Sequence, residues 1–287
     1  MIGKKQYNKI PGVLSEGEFD RFVVPYLKKG TRGPNKKLSF FKLFNYILKL
    51  MHTGCQWEQI PIDKDEKGKP EIHYTNIFNA FKFWVQQECF DKIFEGSVSK
   101  LFKLGMLDTS ALHGDGTSTA AKKRGDNLGY NGYKHLKGDK VVVLCDRNCN
   151  IIAPFVVAPG NRNETILLIP EMKKLVNIAN TLGIKLLGGI ISLDGVYNSR
   201  KNRKAIFNLG MTPNIPENKG DRKKTKRGRK QIYSTDIFAE LFNAIERIFA
   251  WEDKFKRLLL RFEFHSINHY AMKTIAYTMI NLRHFCG

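Results

Sequence analysis

Residues 140–158 read KVVVLCDRNCNIIAPFVVA and set the framework of the fold. Two apolar runs rich in β-branched residues flank the polar turn DRNCN, a pattern that predicts an antiparallel β-hairpin. A shorter strand-like segment, residues 110–114, precedes this pair. Three strands in succession therefore open the central part of the chain.

The chain after the hairpin alternates between helical and strand patterns. A helix is predicted from Asn163 or Glu164 to about Leu182, followed by the apolar strand KLLGGIIS, which leads to Asp194. The short helix RKNRKAIFN, the short strand MTPNI and a last helix over about residues 236–262 come next. This order of strands and helices is that of an RNase-H-like α/β core with a mixed sheet.

The first part of the chain, residues 15–105, shows helical patterns instead. Ser15 and Glu18 have the spacing of a capping box, and Ser39 and Gly54 are placed to begin and end the next helix. Short helices joined by basic turns are consistent with a helix-turn-helix-like DNA reader. The same pattern is equally consistent with a plain helical bundle.

The charge of the chain points to a polyanionic partner. Its 287 residues contain 48 Lys and Arg against 27 Asp and Glu, a formal net charge of +21. Nucleic acid is the commonest partner for such an excess. An anionic membrane is less favoured, because no apolar run approaches the roughly 20 residues of a spanning helix. The N-terminus lacks the apolar region of a signal peptide, so we expect a cytoplasmic protein.

A strongly basic segment lies at residues 219–230, where eight of the side chains are Lys or Arg. Such a run is often a solvated loop, but in a chain with this charge a loop that contacts DNA phosphates is favoured. Its basic residues are Lys219, Arg222, Lys223, Lys224, Lys226, Arg227, Arg229 and Lys230.

Three acids stand where the local pattern favours a core or strand-end residue: Asp115, Asp194 and Glu246. Carboxylates are the ligands that Mg²⁺ and Mn²⁺ prefer. Two such ions can activate an attacking oxygen and stabilise the leaving oxygen of a phosphodiester. Asp108 is a rival for the first position, and Glu246 could instead pair with Lys254 on a solvated helix face.

Several segments together resemble the DDE transposases of bacterial insertion sequences, specifically the insertion-sequence-five group. They are DGTSTAAKKRGDNLGYNGYKHLKGDK, LDGVYNS and AIERIFAWEDKFKRLLLRFE, with FDRFVVPYL and LSFFKLFNYILKLMHTGCQWEQIP nearer the N-terminus. The likeness covers nearly the whole chain. One departure is Phe242, where the related signature carries an Arg.

The resemblance implies an RNase-H-like core with Asp115, Asp194 and Glu246 as its catalytic, metal-binding triad. It implies two Mg²⁺ or Mn²⁺ ions, with double-stranded DNA as substrate: the terminal inverted repeats of the element and its target. A homodimer or higher assembly on DNA is expected, together with a bacterial, nucleoid-associated location. Residues 1–105 would be the DNA-binding domain and residues 106–287 the catalytic domain, with a basic insertion at about 216–232.

The resemblance also indicates further DNA contacts. Lys254 matches a basic residue that follows the family's Glu and grips the DNA end, and Arg257 shares the helix face of Glu246. Lys122 and Lys123 follow Asp115 in the same matched segment, and Tyr197 matches a Tyr after the second Asp.

The predicted function is a DNA transposase. Water would cleave at the 3′ end of the element, and the freed 3′-hydroxyl would then attack target DNA. Two alternatives stay open. One is a metal-dependent nuclease of the RNase H type, for which Glu164 and Glu171 lie in the region of the first core helix. The other is a non-catalytic, domesticated DNA-binding protein.

Overall fold

The computed structural model describes residues 7–30, 38–217 and 232–286. In chain order its α-helices are α1 (Glu16–Phe22), α2 (Phe40–Thr53), α3 (Tyr74–Gln86), α4 (Cys89–Lys103), α5 (Leu168–Leu182), α6 (Arg200–Asn208), α7 (Thr235–Glu252) and α8 (Ser266–Leu282). Its strands are β1 (Ala111–Ala120), β2 (Gly129–Asn131), β3 (Leu136–Asp146), β4 (Val156–Pro159), β5 (Ile190–Leu193) and β6 (Thr212–Asn214).

The chain divides into two compact units. The first, called the helical unit, comprises Met1–Ser97, Ala121–Asp126 and Trp251–Gly287. The second, called the sheet unit, comprises Val98–Ala120 and Asn127–Ala250. These units differ in extent from the two predicted domains, because the C-terminal segment groups with the N-terminal helices.

The helical unit begins as its sequence predicts. The Ser15 N–H donates to Glu18 Oε2 at 2.7 Å and the Glu18 N–H donates to Ser15 Oγ, which confirms the capping box of α1. Ser39 caps α2, and Gly54 ends it with a left-handed φ of 72°. Glycine adopts that conformation without steric cost.

The last helix, α8, is enclosed almost on all sides. Among its buried residues are polar side chains as well as apolar ones, including Asn268, His269, Lys273 and Asn281. Such a helix shows little of the one-sided apolar period that reveals a surface helix. The sequence patterns therefore did not predict α8.

The helix predicted over residues 236–262 is shorter than expected, since α7 ends at Glu252. The Glu252 carboxylate is buried, where it pairs with the Lys273 ammonium and accepts from the Tyr277 hydroxyl at 2.5 Å. A single 3-10 turn, Lys256–Leu258, follows. Anchoring of Glu252 to α8 accounts for the turn of the chain at this point.

The sheet unit contains one mixed sheet with the strand order β2-β3-β1-β5-β6, and β4 also pairs with β3. The pairs β1–β3, β2–β3 and β3–β4 are antiparallel, whereas β1–β5 and β5–β6 are parallel. Without the short β2, this is the strand order of an RNase-H-like core. The predicted fold class, α/β with a mixed-sheet core preceded by a helical region, is confirmed.

The core of the sheet unit lies between the sheet and helices α5 and α6. Its buried residues include Leu112, Leu144, Leu168, Met172, Leu175, Ile191, Leu193 and Ile206. Burial of these side chains fixes the faces of β1 and β5. It therefore sets which side chains of these strands face the core and which face away from it.

Within the described ranges, every helix is too short or too polar to span a lipid bilayer.

Candidate active site

The register of β1 and β5 brings Asp115 and Asp194 to the same edge of the sheet. Gly114 of β1 is the register partner of Leu193, the last residue of β5. Asp115 and Asp194 are the next residues along these two parallel strands. Asp115 lies within β1 rather than at its end, because β1 continues in its pairing with β3 to Ala120.

The Asp115 carboxyl is partly buried, and burial raises its pKa to about 6. The Gly116 N–H, which donates to Asp115 Oδ1 at 2.7 Å, opposes this change. The negative charges of Glu164 and Asp194 raise the pKa further. An acid that is crowded by like charges favours a proton or a cation.

Asp194 is more exposed than Asp115 and begins a turn. Its Oδ1 accepts from the Gly195 N–H at 2.6 Å, which caps the 3-10 turn Gly195–Tyr197. An acid directly after a buried parallel strand stands on a rigid support.

Glu164 joins these two acids, and the three-acid set from the sequence did not include it. A Cβ built on Gly116 would lie 2.9 Å from Glu164 Oε2 and 2.8 Å from its carboxyl carbon. The Glu164 carboxylate thus occupies the side-chain space of Gly116, and the alternation of side chains along β1 places that space on the face opposite to the Asp115 side chain. It also pairs with the Lys140 ammonium at 3.1 Å. No local pattern in the sequence points to Glu164 as a neighbour of Gly116.

Tyr197 lies beneath the same region. Its side chain is fully buried, and burial raises the pKa of its hydroxyl well above the ordinary value. The negative charges of Asp115, Glu164, Glu171 and Asp194 raise that pKa further. In the described part of the chain, the hydroxyl meets no hydrogen-bond partner.

Glu246 is the third acid predicted from the sequence. It lies exposed on α7, between the buried residues Ile245 and Ile248. The same helix carries Glu240, whose Oε2 is 3.7 Å from His113 Nε2. His113 and Asp115 share one face of β1, because side chains alternate along a strand. Helix α7 therefore packs on the face that carries Asp115.

Asp108, the rival first acid, has a local role. Its Oδ1 accepts from the Ser110 N–H at 3.1 Å and from the Ser110 hydroxyl at 2.5 Å. These bonds shape the turn before β1.

The predicted DNA-contacting residues have different surroundings. Lys122, Lys123 and Lys254 are exposed. Arg257 is only 5% exposed, and its guanidinium bonds to Glu263 at 2.7 Å and to the Cys55 carbonyl at 3.0 Å. Arg257 therefore serves as an internal cross-link and is not an exposed contact for DNA. The basic residues of segment 219–230 lie outside the described residues.

A β-hairpin formed by β2 and the start of β3 presents further candidates. Tyr133 is 92% exposed and Tyr130 is 57% exposed. Asn131 Oδ1 accepts from the N–H groups of Tyr133 and Lys134, both at 3.0 Å, and so orders the tip. The Lys134 charge lowers the pKa of Asp115, which indicates that the tip is near that acid.

The carboxylates of Asp115, Asp194 and Glu164 are oxygen donors of the type that hard divalent cations prefer. These carboxylates repel one another, and a bound cation would relieve that repulsion. In residues 7–30, 38–217 and 232–286, however, no three Asp, Glu, His or Cys side chains converge closely enough to hold one ion. The donor atoms of these residues therefore suit a divalent cation, but within the described residues the carboxylates do not converge on one point.

Among the solved structures that match the chain are complexes of two transposases. A piggyBac transposase synaptic complex with hairpin DNA has 10% sequence identity and a TM-score of 0.48, covering 95% of this chain and 71% of that chain. A pre-cleavage Mos1 transpososome has 14% identity and a TM-score of 0.29, covering 93% and 84%. The Mos1 strand transfer complex has 15% identity and a TM-score of 0.30, covering 86% and 74%.

No protein-family model matches the chain. No curated protein matches its sequence either.

Proposed function

We propose that this chain is a DDE-type DNA transposase of a bacterial insertion sequence. Within that class, we propose that it belongs to the insertion-sequence-five group. The observation that carries the proposal is the pairing of Asp115 and Asp194 at one edge of an RNase-H-like sheet. A net charge of +21 adds the expected attraction to DNA. We also propose that the helical N-terminal region contributes to DNA binding.

Asp115 and Asp194 would hold the divalent cations, and Glu246 is the proposed third acid. Support for Glu246 comes from the contact of α7 with the Asp115 face of β1 through Glu240 and His113. Glu246 lies six residues further along α7, about 9 Å on a regular helix. Bound Mg²⁺ or Mn²⁺ ions would supply activation of the attacking oxygen and stabilisation of the leaving oxygen.

The protein's own residues would orient the DNA. Exposed cations on Lys122, Lys123 and Lys254, with the basic segment 219–230, would contact phosphates. The reaction would be hydrolysis at the 3′ end of the element, followed by attack of the freed 3′-hydroxyl on target DNA. It needs no covalent protein–DNA intermediate. Joining two ends implies a dimer or higher assembly on DNA.

The decisive experiment compares Asp194→Asn with the wild-type chain. We expect the variant to lose Mg²⁺-dependent cleavage of DNA that carries the element's terminal repeats, while it binds that DNA with unchanged affinity. Full cleavage by the variant would exclude Asp194 from the catalytic set. Inverted repeats in the DNA that flanks the coding sequence would independently support a transposase.

A second experiment concerns the basic segment. Replacement of Lys223, Lys224, Lys226 and Arg227 by Gln should weaken DNA binding and flatten its dependence on salt concentration, because fewer counterions are released. An unchanged salt slope would show that the segment does not contact phosphates.

A metal-dependent nuclease of the RNase H type is the second candidate. The observation that favours it is the position of Glu164, near the start of the first core helix and beside Gly116. Cleavage of RNA–DNA hybrids, with no activity on the terminal repeats, would support this candidate over the transposase.

A further inference from the structure

Helix α6 carries its charges where a helix tolerates them least. Its sequence is RKNRKAIFN, so Lys and Arg dominate its first five residues, and it contains neither Asp nor Glu. The dipole of a helix disfavours cations in the first turn. Arg200 and Lys204 also lie four residues apart on one face, where like charges repel. This charge pattern therefore lowers the stability of α6 instead of adding to it.

The cations on the outer face of α6 lack acidic partners. Arg200, Lys201 and Lys204 are exposed, whereas Asn202 and Ile206 on the inner face are buried. Within the ranges that the structure describes, none of the three exposed cations forms an ion pair. A local pattern that costs stability without compensation is expected at functional surfaces.

We propose that Arg200, Lys201 and Lys204 form a phosphate-binding surface for the DNA strand that reaches Asp194. This inference rests on the proposed function, because that function makes DNA the polyanion bound by the chain. Arg and Lys side chains contact DNA phosphates and so fix the register of a protein on DNA. The DNA-contacting residues predicted from the sequence do not include these three.

Helix α6 is tied to the turn that Asp194 begins. The Asn202 side-chain amide donates to the Tyr197 carbonyl at 3.0 Å. Arg203 Nε donates to Asn198 Oδ1 at 2.9 Å, so this guanidinium is a structural link and not part of the exposed surface. These bonds hold the start of α6 in a fixed position relative to Asp194, and a fixed position is what a phosphate contact beside a reacting centre requires.

The separation along the chain suits contacts with one DNA strand. Arg200 follows Asp194 by six residues, so even a fully extended segment would place their Cα atoms within about 20 Å. Phosphates of one strand rise by about 3.4 Å per nucleotide along duplex DNA. A strand that reaches Asp194 would therefore pass the surface within about six nucleotides. The last four residues of α6 are uncharged, so the surface is confined to the start of the helix.

The experiment measures binding of the full chain to a short fluorescein-labelled DNA duplex of random sequence at several salt concentrations. We expect the triple variant Arg200→Gln/Lys201→Gln/Lys204→Gln to reduce the slope of log affinity against log salt concentration by about 2–3. Its affinity at 0.1 M salt should fall by about tenfold or more. Thermal unfolding should show a variant at least as stable as wild type, because repulsion within α6 is removed.

A matched control separates phosphate contacts from net charge. Lys103→Gln/Lys173→Gln/Lys185→Gln removes the same charge from three exposed positions elsewhere in the sheet unit. This control should reduce the salt slope by less than about 1. A second triple variant, Arg200→Lys/Lys201→Arg/Lys204→Arg, keeps every charge of the surface and should bind DNA as wild type does.

A measurement on the wild-type chain avoids any effect of substitution on folding. Bound DNA should slow the chemical acetylation of Lys201 and Lys204 several-fold, as measured by mass spectrometry. Lys173 and Lys185 are exposed on the same unit and should react at unchanged rates.

The outcomes distinguish this inference from the proposed function. If the α6 variant keeps the wild-type salt slope, or if DNA does not protect Lys201 and Lys204, the inference is wrong. The proposed function then stands as long as Asp194→Asn loses cleavage. An equal loss in the control variant would show that only net charge matters and would also overturn the inference. If the wild-type chain binds no DNA, the inference and the proposed function both fail.

Discussion

Glu252 in the helical unit and Asp115 in the sheet unit are both acids placed in the protein interior, but their surroundings differ. Glu252 has the Lys273 ammonium and the Tyr277 hydroxyl as partners. Asp115 instead has Glu164 and Asp194 as neighbours, and their negative charges repel its own. The first arrangement satisfies a buried charge, whereas the second concentrates negative charge. Burial alone therefore does not show whether an acid has a structural or a functional role. The charges of the groups around it make that distinction.

The largest effect should come from breaking the satisfied pair. Lys273→Met leaves the Glu252 carboxylate buried without its cation, and we expect a loss of about 3–5 kcal/mol in the free energy of unfolding. Urea denaturation measures this change. The exposed Lys254→Met in the same unit is the control and should change stability by less than about 0.5 kcal/mol. A loss below about 1 kcal/mol for Lys273→Met would contradict the structural role.

The second prediction concerns the satisfied polar groups of the sheet unit. Asn202→Ala removes the amide that ties the Glu164 and Asp194 loops. The Thr165 carbonyl loses this donor, while the Tyr197 carbonyl keeps the Ser199 N–H. We expect a loss of about 2–3 kcal/mol in the free energy of unfolding. Asn208→Ala, an exposed position at the end of the same helix, should be nearly neutral. Equal effects of the two variants would show that the tie is unimportant.

Asp115→Asn should raise the free energy of unfolding at pH 8, whereas the two substitutions above lower it. The folded pKa of about 6 lies above the ordinary value of 3.8, so ionisation of Asp115 destabilises the fold as pH rises through about 6. In the presence of a chelator at pH 8, the variant should be more stable than wild type by about 1–2 kcal/mol. The difference should vanish below about pH 4. Destabilisation by the variant at pH 8 would contradict the charge crowding.

The smallest effect on stability is expected at the hairpin tip. Tyr133→Ala removes a side chain that is 92% exposed, so the free energy of unfolding should change by less than about 0.5 kcal/mol. We expect DNA binding to weaken several-fold, because an exposed aromatic ring beside Lys134 can stack on a base. Fluorescence anisotropy measures this loss. Phe207→Ala, an exposed aromatic on α6, should bind DNA normally; an equal loss there would exclude a specific contact.

The sequence predicted five of the six described strands because each of them shows a local pattern, whereas the short β2 was not predicted. The β3–β4 hairpin, the buried strand before Asp194 and the capping residues of α1 and α2 depend on nearby residues. Asp194 follows such an apolar strand directly. The choice of Asp115 over Asp108 depended instead on the family resemblance, and both acids stay predictions as catalytic residues.

Other features depend on contacts that are distant in the chain. Glu164 becomes a neighbour of Asp115 only through packing against Gly116, and Arg257 is buried because Glu263 and the Cys55 carbonyl enclose it. Helix α8 lacks a one-sided apolar period because it is buried nearly throughout. No local pattern carries this information, so these three features required the structure.

The lack of a side chain at Gly116 predicts how positions 116 and 164 vary together in related sequences. The room for the Glu164 carboxylate exists because position 116 has no side chain. In descendants of the same ancestor, a larger residue at 116 should therefore coincide with a shorter or absent acid at 164. The two positions form a pair on which selection acts jointly, and an alignment in which they vary independently would show that evolution does not treat them as one unit.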